Sequence, residues 1–108
     1  MSMRKRIKSL ENPSGVGEVF EHNNSVAKVA YKLNVYQEIL ISGTPSKTEE
    51  IEGLKFMTGS ISVLESSKNL WGIDKLVLQL KDGRKVDFFV KKWGLSNSYE
   101  IQPSGAFY

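Results

Sequence analysis

Phe89, Lys91 and Trp93 have residue types and a spacing suited to holding a nucleic acid. They occupy every second position, so an extended strand would place all three on one face. Aromatic rings on a sheet face can stack on nucleobases while lysine ammonium groups meet phosphates. The same rings could instead pack as core under a loop or a second sheet. The pattern therefore indicates a candidate binding face and leaves a structural role open.

A run of basic residues near the N-terminus offers a second contact for an anionic partner. Arg4, Lys5, Arg6 and Lys8 supply four of the 15 basic residues, which leaves 11 basic against 12 acidic residues elsewhere. The formal net charge of +3 therefore belongs to a short segment on a nearly neutral body. Such a segment can contact phosphates without reading sequence, or it can be a solvated tail.

The inventory of catalytic residues is small. His22 is the single histidine, and its place beside a predicted turn favours an exposed or capping role over that of a general base. Glu49, Glu50 and Glu52 form the one carboxylate cluster, which fits a solvated loop and strand start better than a Ca²⁺ site. We therefore predict no cofactor and no metal.

Sequence motifs of the common enzyme classes are absent. No G-x-S-x-G, no G-x-x-x-x-G-K-[ST] and no G-x-G-x-x-G occurs in the chain. The fragment Gly15-Val16-Gly17 opens a predicted strand, where the dinucleotide fingerprint should open a helix. Separate strands can still bring two carboxylates together across a cleft, so an enzyme without a recognisable motif stays an alternative. Its candidate acids are Glu18, Asp74 and Glu100.

Length and composition are those of one ordinary globular domain. A chain of 108 residues can build a single core, and 40% hydrophobic with 25% charged residues argues against disorder. The absence of cysteine rules out disulfides and Cys-containing zinc sites. No apolar run exceeds three residues, and none follows the basic run as a signal peptide requires. We expect a soluble, cytoplasmic protein without membrane contact.

One of the elements that must position these residues is a hairpin, which the sequence predicts strongly. Two alternating apolar runs, 76–80 and 85–90, flank a short polar turn. A three-residue loop over 81–83 keeps the apolar faces of both arms together, whereas a two-residue loop does not. We therefore predict a bulged hairpin in which Gly83 has positive φ. Its expected pairs are Leu78 with Val86 and Leu76 with Phe88.

Alternation also predicts strands in the first half of the chain. Residues 16–22 are one candidate, and a two-residue loop at Asn23-Asn24 would pair Phe20 with Ala27. From 27 to 35 every odd position is apolar, which is strand periodicity. Apolar residues across 25–42 also fit helical spacing, so a helix at 25–42 packed on an antiparallel sheet is the alternative.

The remaining segments fit the same pattern. Residues 51–64 are strand-like, but the apolar positions change phase across Gly59, which predicts a bulge or tight bend there. A last strand, 99–102, precedes a turn and an apolar terminus that should dock on the core. We therefore predict an all-β fold, a small antiparallel β-barrel or curled sandwich of six to seven strands. Residues 1–12 would be a basic N-terminal arm, with disorder as one expectation, and 13–108 a single β-rich domain.

These observations favour a non-enzymatic binding or interaction module over an enzyme. Contact with an anionic partner, such as single-stranded nucleic acid, would use seven residues: Arg4, Lys5, Arg6, Lys8, Phe89, Lys91 and Trp93. One alternative is a carrier barrel that encloses a small apolar ligand beside inward-facing Tyr31, Phe56 and Phe88. Another protein is also a candidate partner, and the sequence leaves the oligomeric state open.

Overall fold

Strand periodicity extends over most of the chain, and the computed structural model follows it. The structure describes residues 4–44, 47–94 and 97–108, without the side chains of Thr44 and Trp93. Antiparallel strands form one sheet, and the predicted all-β class is confirmed. The alternative of a helix at 25–42 is wrong, because a strand covers that segment. The strands are β1 (Arg4–Glu11), β2 (Ser14–Glu21), β3 (Asn24–Thr44), β4 (Lys47–Ser66), β5 (Leu76–Gln79), β6 (Lys85–Trp93) and β7 (Ser98–Ser104).

Six of the strands close into a ring. Their order is β3-β2-β5-β6-β7-β4, and β4 returns to pair with β3. Most neighbours in the ring are consecutive in the chain, but two seams join strands that are far apart in sequence. One seam pairs β2 with β5 over residues 18–20, and the other pairs β4 with β7 over residues 59–62. The ring therefore depends on two short contacts between its N-terminal and C-terminal strands.

The second half of β3 and the first half of β4 continue beyond the ring. There β1 pairs with residues 35–41 of β3, whereas β2 pairs with residues 24–32 of the same strand. The result is a three-stranded sheet that we call the extension, formed by residues 4–11, 35–44 and 47–57. It gives the molecule an elongated outline of 59 × 27 × 22 Å.

The core fills the interior of the ring with apolar side chains from alternate strand positions. Within the described residues, no polar or charged residue is buried. The hydroxyl of Tyr31 reaches the end of the core and accepts a 3.1 Å hydrogen bond from the Lys81 N–H. The largest fully buried side chains include Phe88, Leu33, Ile61, Leu70, Leu76, Leu78 and Ile101.

The β5–β6 hairpin has the predicted register and loop. Leu76 lies opposite Phe88, and Leu78 lies opposite Val86. Gly83, the last of the three loop residues, has a φ of 94°, which is a conformation that glycine adopts without strain. The apolar faces of the two arms therefore meet in the core, as the alternation requires.

The β2–β3 hairpin is present, but its turn begins one residue earlier than predicted. The loop residues are His22 and Asn23, with φ values of 49° and 68°, as a type I′ turn requires. Phe20 therefore pairs with Ser25 and not with Ala27. The prediction failed because histidine and asparagine both tolerate the left-handed conformation, so two dipeptides could form this turn.

Strand β4 is regular at Gly59, so the predicted bulge or bend at that position is wrong. The register with β3 runs without a shift from residue 55 to residue 63. The apolar residues change phase because they change face. Leu54 and Phe56 are exposed on the extension, whereas Ile61 is buried inside the ring. The phase change marks the boundary between extension and ring.

The basic run forms strand β1 instead of a disordered arm. Residues 4–11 pair with β3, and Lys5 lies opposite Leu40 in that register. Beyond the end of β2, the edge of β3 presents backbone N–H and C=O groups that need partners. Strand β1 supplies those partners, which explains why a charged segment is ordered here.

The apolar C-terminus docks on the ring, as predicted. The N–H and C=O of Tyr108 exchange hydrogen bonds of 2.8 and 2.9 Å with Lys85. Phe107 packs against the core, and the guanidinium of Arg84 lies 4.5 Å above its ring. The Tyr108 hydroxyl donates a 2.6 Å hydrogen bond to Asp87, which raises the pKa of Tyr108. These contacts fasten the end of the chain to strand β6.

Candidate interaction surface

The basic run lies on the extension, and two of its members are ion-paired. Lys5 Nζ lies 2.6 Å from a Glu38 oxygen, and an Arg6 nitrogen lies 3.1 Å from a Glu50 oxygen. Arg4 and Lys8 belong to the same exposed strand. Part of the positive charge expected to meet phosphates is therefore neutralised by carboxylates of β3 and β4.

The second predicted group, Phe89, Lys91 and Trp93, does not form a regular alternating face. Phe89 is 44% exposed, as its predicted outward position requires. The register with β7 shifts at Lys91, whose Nζ lies 3.8 Å from a Glu100 oxygen. The backbone of Trp93 pairs with Tyr99, and its side chain lies outside the described residues. The bulge interrupts the spacing on which the grouping depends.

The structure does not bring these two groups together. Strand β1 contacts β3, and β6 contacts β5 and β7, with no contact between β1 and β6 among the described strands. His22 is exposed in the β2–β3 turn. Glu49, Glu50 and Glu52 lie on β4, and the described residues hold no cluster of three or more groups arranged to bind a metal ion.

The extension has one apolar and one charged face, because apolar positions of its three strands coincide in register. The charged face surrounds two isoleucines, of which Ile39 is buried beneath the stems of its neighbours. That face carries Arg4, Arg6, Lys8, Glu50, Glu52 and Lys55 around Ile39 and Ile41. The opposite face, which we call the apolar face, carries Ile7, Tyr36, Leu40, Ile51, Leu54 and Phe56.

The apolar face is left open to solvent by the described residues. Leu54 is 73% exposed, Ile7 56%, Ile51 48% and Phe56 37%. Tyr36 and Phe56 lie directly opposite each other and stack, with ring centroids 5.1 Å apart. Large apolar side chains grouped in this way are unusual on a surface that only meets water. The face is therefore the strongest candidate for a functional surface.

A bulge in β4 presents Leu54 on this face. Gly53 and Leu54 together lie opposite the single residue Glu38. The Gln37 side-chain amide donates to the carbonyl oxygens of Glu38 and Gly53, at 3.1 and 3.0 Å. The Leu54 N–H donates to a Glu38 carboxylate oxygen at 3.4 Å. Polar groups of β3 thus satisfy the irregular backbone and hold Leu54 outward.

Glu38 is the acidic group at the centre of the apolar face. The hydrogen bond from Lys5 is the largest cause of a lowered Glu38 pKa, and it outweighs the opposing effect of desolvation. The bond from the Leu54 N–H lowers the pKa further. A glutamate in an apolar sheet face thereby stays ionised and paired.

Loss of the Lys5 partner is expected to raise the pKa of Glu38 towards its ordinary value. Because the folded-state pKa is depressed, the pair stabilises the fold above the ordinary glutamate pKa, and this contribution is lost as the pH falls through the folded-state pKa. Carboxyl ¹³C NMR titration of Lys5→Gln measures the shift. Lys8→Gln, on the charged face, is the control and should leave Glu38 unchanged. Equal shifts in both variants would contradict the assignment.

A cleft of about 320 Å³ lies where the extension meets the ring. Val35 and Met57 line it together with the C-terminal segment 103–107. Of the three aromatic residues expected inside a carrier barrel, Tyr31 and Phe88 are buried. The inward position expected for Phe56 is wrong, because its ring stacks on Tyr36 at the apolar face. The cleft borders the core, because Val35 and Met57 line it and also belong to the core.

Sequence reasoning missed the apolar face, although the sequence contains a signal for it. The signal is the change of apolar phase in β4 between Phe56 and Ile61, on a strand that stays regular. A phase change without a bulge means that the strand buries one face in one part and exposes the other face elsewhere. Recognising it required the register, which places Ile7 and Tyr36 on the same face as Phe56.

Comparison of the chain with protein-family models, with curated proteins and with solved structures finds no match. In the part of the chain that the structure describes, no helix is long and apolar enough to cross a membrane.

Proposed function

We propose that this chain is a non-enzymatic interaction module that binds a protein surface through the apolar face of the extension. The observation that carries the proposal is the exposure of Leu54, Ile7, Ile51 and Phe56 on one side of a single-layered sheet. A sheet that is apolar on one face reaches a stable state by packing that face against another layer. The described residues provide no such layer, so a partner supplies it.

A protein partner is favoured over an anionic one by the charges around the predicted site residues. Lys5 and Arg6 are ion-paired with glutamates, and Lys91 lies near Glu100. A phosphate would have to compete with these carboxylates at each position. A complementary apolar surface displaces only water from Leu54 and its neighbours, which is favourable in proportion to the area buried.

Affinity capture with matched variants tests the proposal. Tagged wild-type protein is incubated with an extract of its source organism, and bound proteins are identified by mass spectrometry. We expect Leu54→Glu to reduce capture of the partner at least about tenfold, because a carboxylate placed in an apolar interface is desolvated without a counter-charge. Phe89→Glu is the control, since it also places a carboxylate at an exposed apolar residue, but on β6 and outside the extension.

The competing class of partner is tested by titration of a fluorescent single-stranded oligonucleotide. Binding at about 50 mM salt that weakens steeply with added salt would indicate phosphate contacts. If that binding fell in Arg4→Gln and Lys8→Gln but not in Leu54→Glu, the anionic partner would replace the protein partner. Capture that is equal for Leu54→Glu and Phe89→Glu would also contradict the proposal.

A further inference from the structure

The arrangement of residues on the apolar face also restricts which partner can cover it. Resting on that function, we propose that the covering layer is the apolar face of a second copy of this chain. The two copies would be related by a two-fold axis parallel to the strands of the extension. In this dimer the two extensions would form a sandwich of two sheet layers. The two rings, each with two walls, would lie side by side and give four layers.

Self-association requires a surface that complements itself under a two-fold rotation. The apolar face meets this condition because each of its strands contributes apolar residues: Ile7 from β1, Tyr36 and Leu40 from β3, and Ile51, Leu54 and Phe56 from β4. Rotation therefore brings apolar side chains against apolar side chains around the Lys5–Glu38 ion pair, which lies on the same face. Two such sheets pack about 10 Å apart with their strands nearly aligned.

The charges select one of the two possible two-fold axes. An axis parallel to the strands stacks β1 of one copy on β4 of the other, whereas an axis across the strands stacks β1 on β1. Strand β1 places Lys5 on the apolar face, while its other basic residues lie on the charged face, and β4 places Glu49 on the apolar face, one alternate position from Ile51. Lys5 and Ile51 are level, since both flank Leu40. The parallel axis therefore brings Lys5 of one copy near Glu49 of the other. Glu38 then faces Glu38 of the second copy, and each of these carboxylates is paired with its own Lys5.

The ring does not obstruct this arrangement. Alternation along β3 makes the inner side of the ring, marked by Leu33 and Val35, continuous with the charged face of the extension. The apolar face is instead continuous with the outer wall of the ring, where Asn34 lies opposite Thr58 and Lys32 opposite Ser60. Two copies can approach with their outer walls side by side.

The size of the face predicts a reversible dimer. Three strands about 4.8 Å apart and about nine residues long give a face of roughly 14 by 30 Å, or roughly 400 Å² per copy. Two copies would bury roughly 800 Å², which is less than the roughly 1,200 Å² of a standard stable interface. We therefore expect a dissociation constant on the order of micromolar.

Sedimentation velocity of the full chain over a concentration series tests the association. The wild type and Phe89→Glu are expected to shift from monomer to dimer as concentration rises. Leu54→Glu is expected to stay monomeric, and the neutral Leu54→Gln to dimerise more weakly than the wild type. Leu54 is largely exposed, so neither variant disturbs the core. A wild type that is monomeric throughout, or a dimer that survives Leu54→Glu, would overturn the inference.

Site-specific cross-linking tests the axis. The chain contains no cysteine, so Ser42→Cys introduces a single thiol on β3, on the apolar side and near the end of the extension. Under the parallel axis this thiol faces the same thiol of the second copy, and a short bis-maleimide should give a covalent dimer. Under the crossing axis the two thiols lie at opposite ends. Ser104→Cys on β7 is the control, and a dimer that yields no Ser42→Cys product would overturn the parallel arrangement.

The two proposals fail in different ways. A monomeric wild type that still captures another protein in a Leu54-dependent manner overturns the dimer and leaves the interaction module intact. A monomeric wild type whose capture does not depend on Leu54 overturns both.

Discussion

Replacing Phe88 with alanine is expected to lower the free energy of unfolding by about 3 to 5 kcal/mol. Among the described residues, Phe88 is the largest fully buried side chain, at 1% exposure, and it lies opposite Leu76 inside the ring of strands. The substitution removes the apolar area of the phenyl group and leaves a cavity that the surrounding strands cannot close. Urea denaturation followed by far-UV circular dichroism measures the change.

The neighbouring phenylalanine is the matched control for this prediction. Phe89 follows Phe88 on the same strand but is 44% exposed. Phe89→Ala should change the free energy of unfolding by no more than about 0.5 kcal/mol. Comparable losses in the two variants would mean that β6 does not present alternate residues to core and solvent.

Replacing Gly17 with alanine is expected to destabilise the protein by about 3 kcal/mol or more. A Cβ atom at Gly17 would lie 2.2 Å from the backbone oxygen of Gln79 and 3.1 Å from the Tyr31 ring. The obstacle is backbone at the seam between β2 and β5, so β5 must move away. Only three residue pairs form that seam, so the displacement weakens ring closure as a whole.

A glycine with a milder steric conflict provides the comparison. A Cβ atom at Gly53 would lie 3.1 Å from the Cβ of Glu38, so a small local shift relieves the contact, whereas Gly17 meets backbone at a much shorter distance. Gly53→Ala should therefore cost less than about 1 kcal/mol in urea denaturation. Hydrogen exchange at residues 77–79 gives a second measurement, because faster exchange there is expected in Gly17→Ala alone. Unchanged exchange in Gly17→Ala would argue against the steric explanation.

The fold could be read from the sequence where local signals agree with each other. The β5–β6 hairpin is such a case, because the alternation of Leu76 and Leu78 and the position of Gly83 require the same loop. The β2–β3 turn was misplaced by one residue because His22 could replace an asparagine in the left-handed conformation. Turn chemistry alone does not choose between neighbouring dipeptides of similar preference.

The candidate surface was less predictable, because it depends on contacts between distant segments. The sequence marks Lys5 and Arg6 as basic, but their pairing with Glu38 and Glu50 follows from the register of three strands. Likewise, the alternation from Phe89 onward ends at a bulge at Lys91 that no local pattern announces. Composition identifies the charges, and the sheet topology decides which of them are available to a partner.

The two seams of the ring also have a consequence for how the chain folds. Glu18 and Gln79 are 61 positions apart, whereas the arms of each hairpin adjoin a short loop. Bringing distant segments together costs chain entropy before the contacts they form can offset that cost. Hairpins, by contrast, form within microseconds. We therefore expect the β2–β3–β4 and β5–β6–β7 meanders to form early, with their joining as the slow kinetic step. The rate of folding is then set by the meeting of two preformed units.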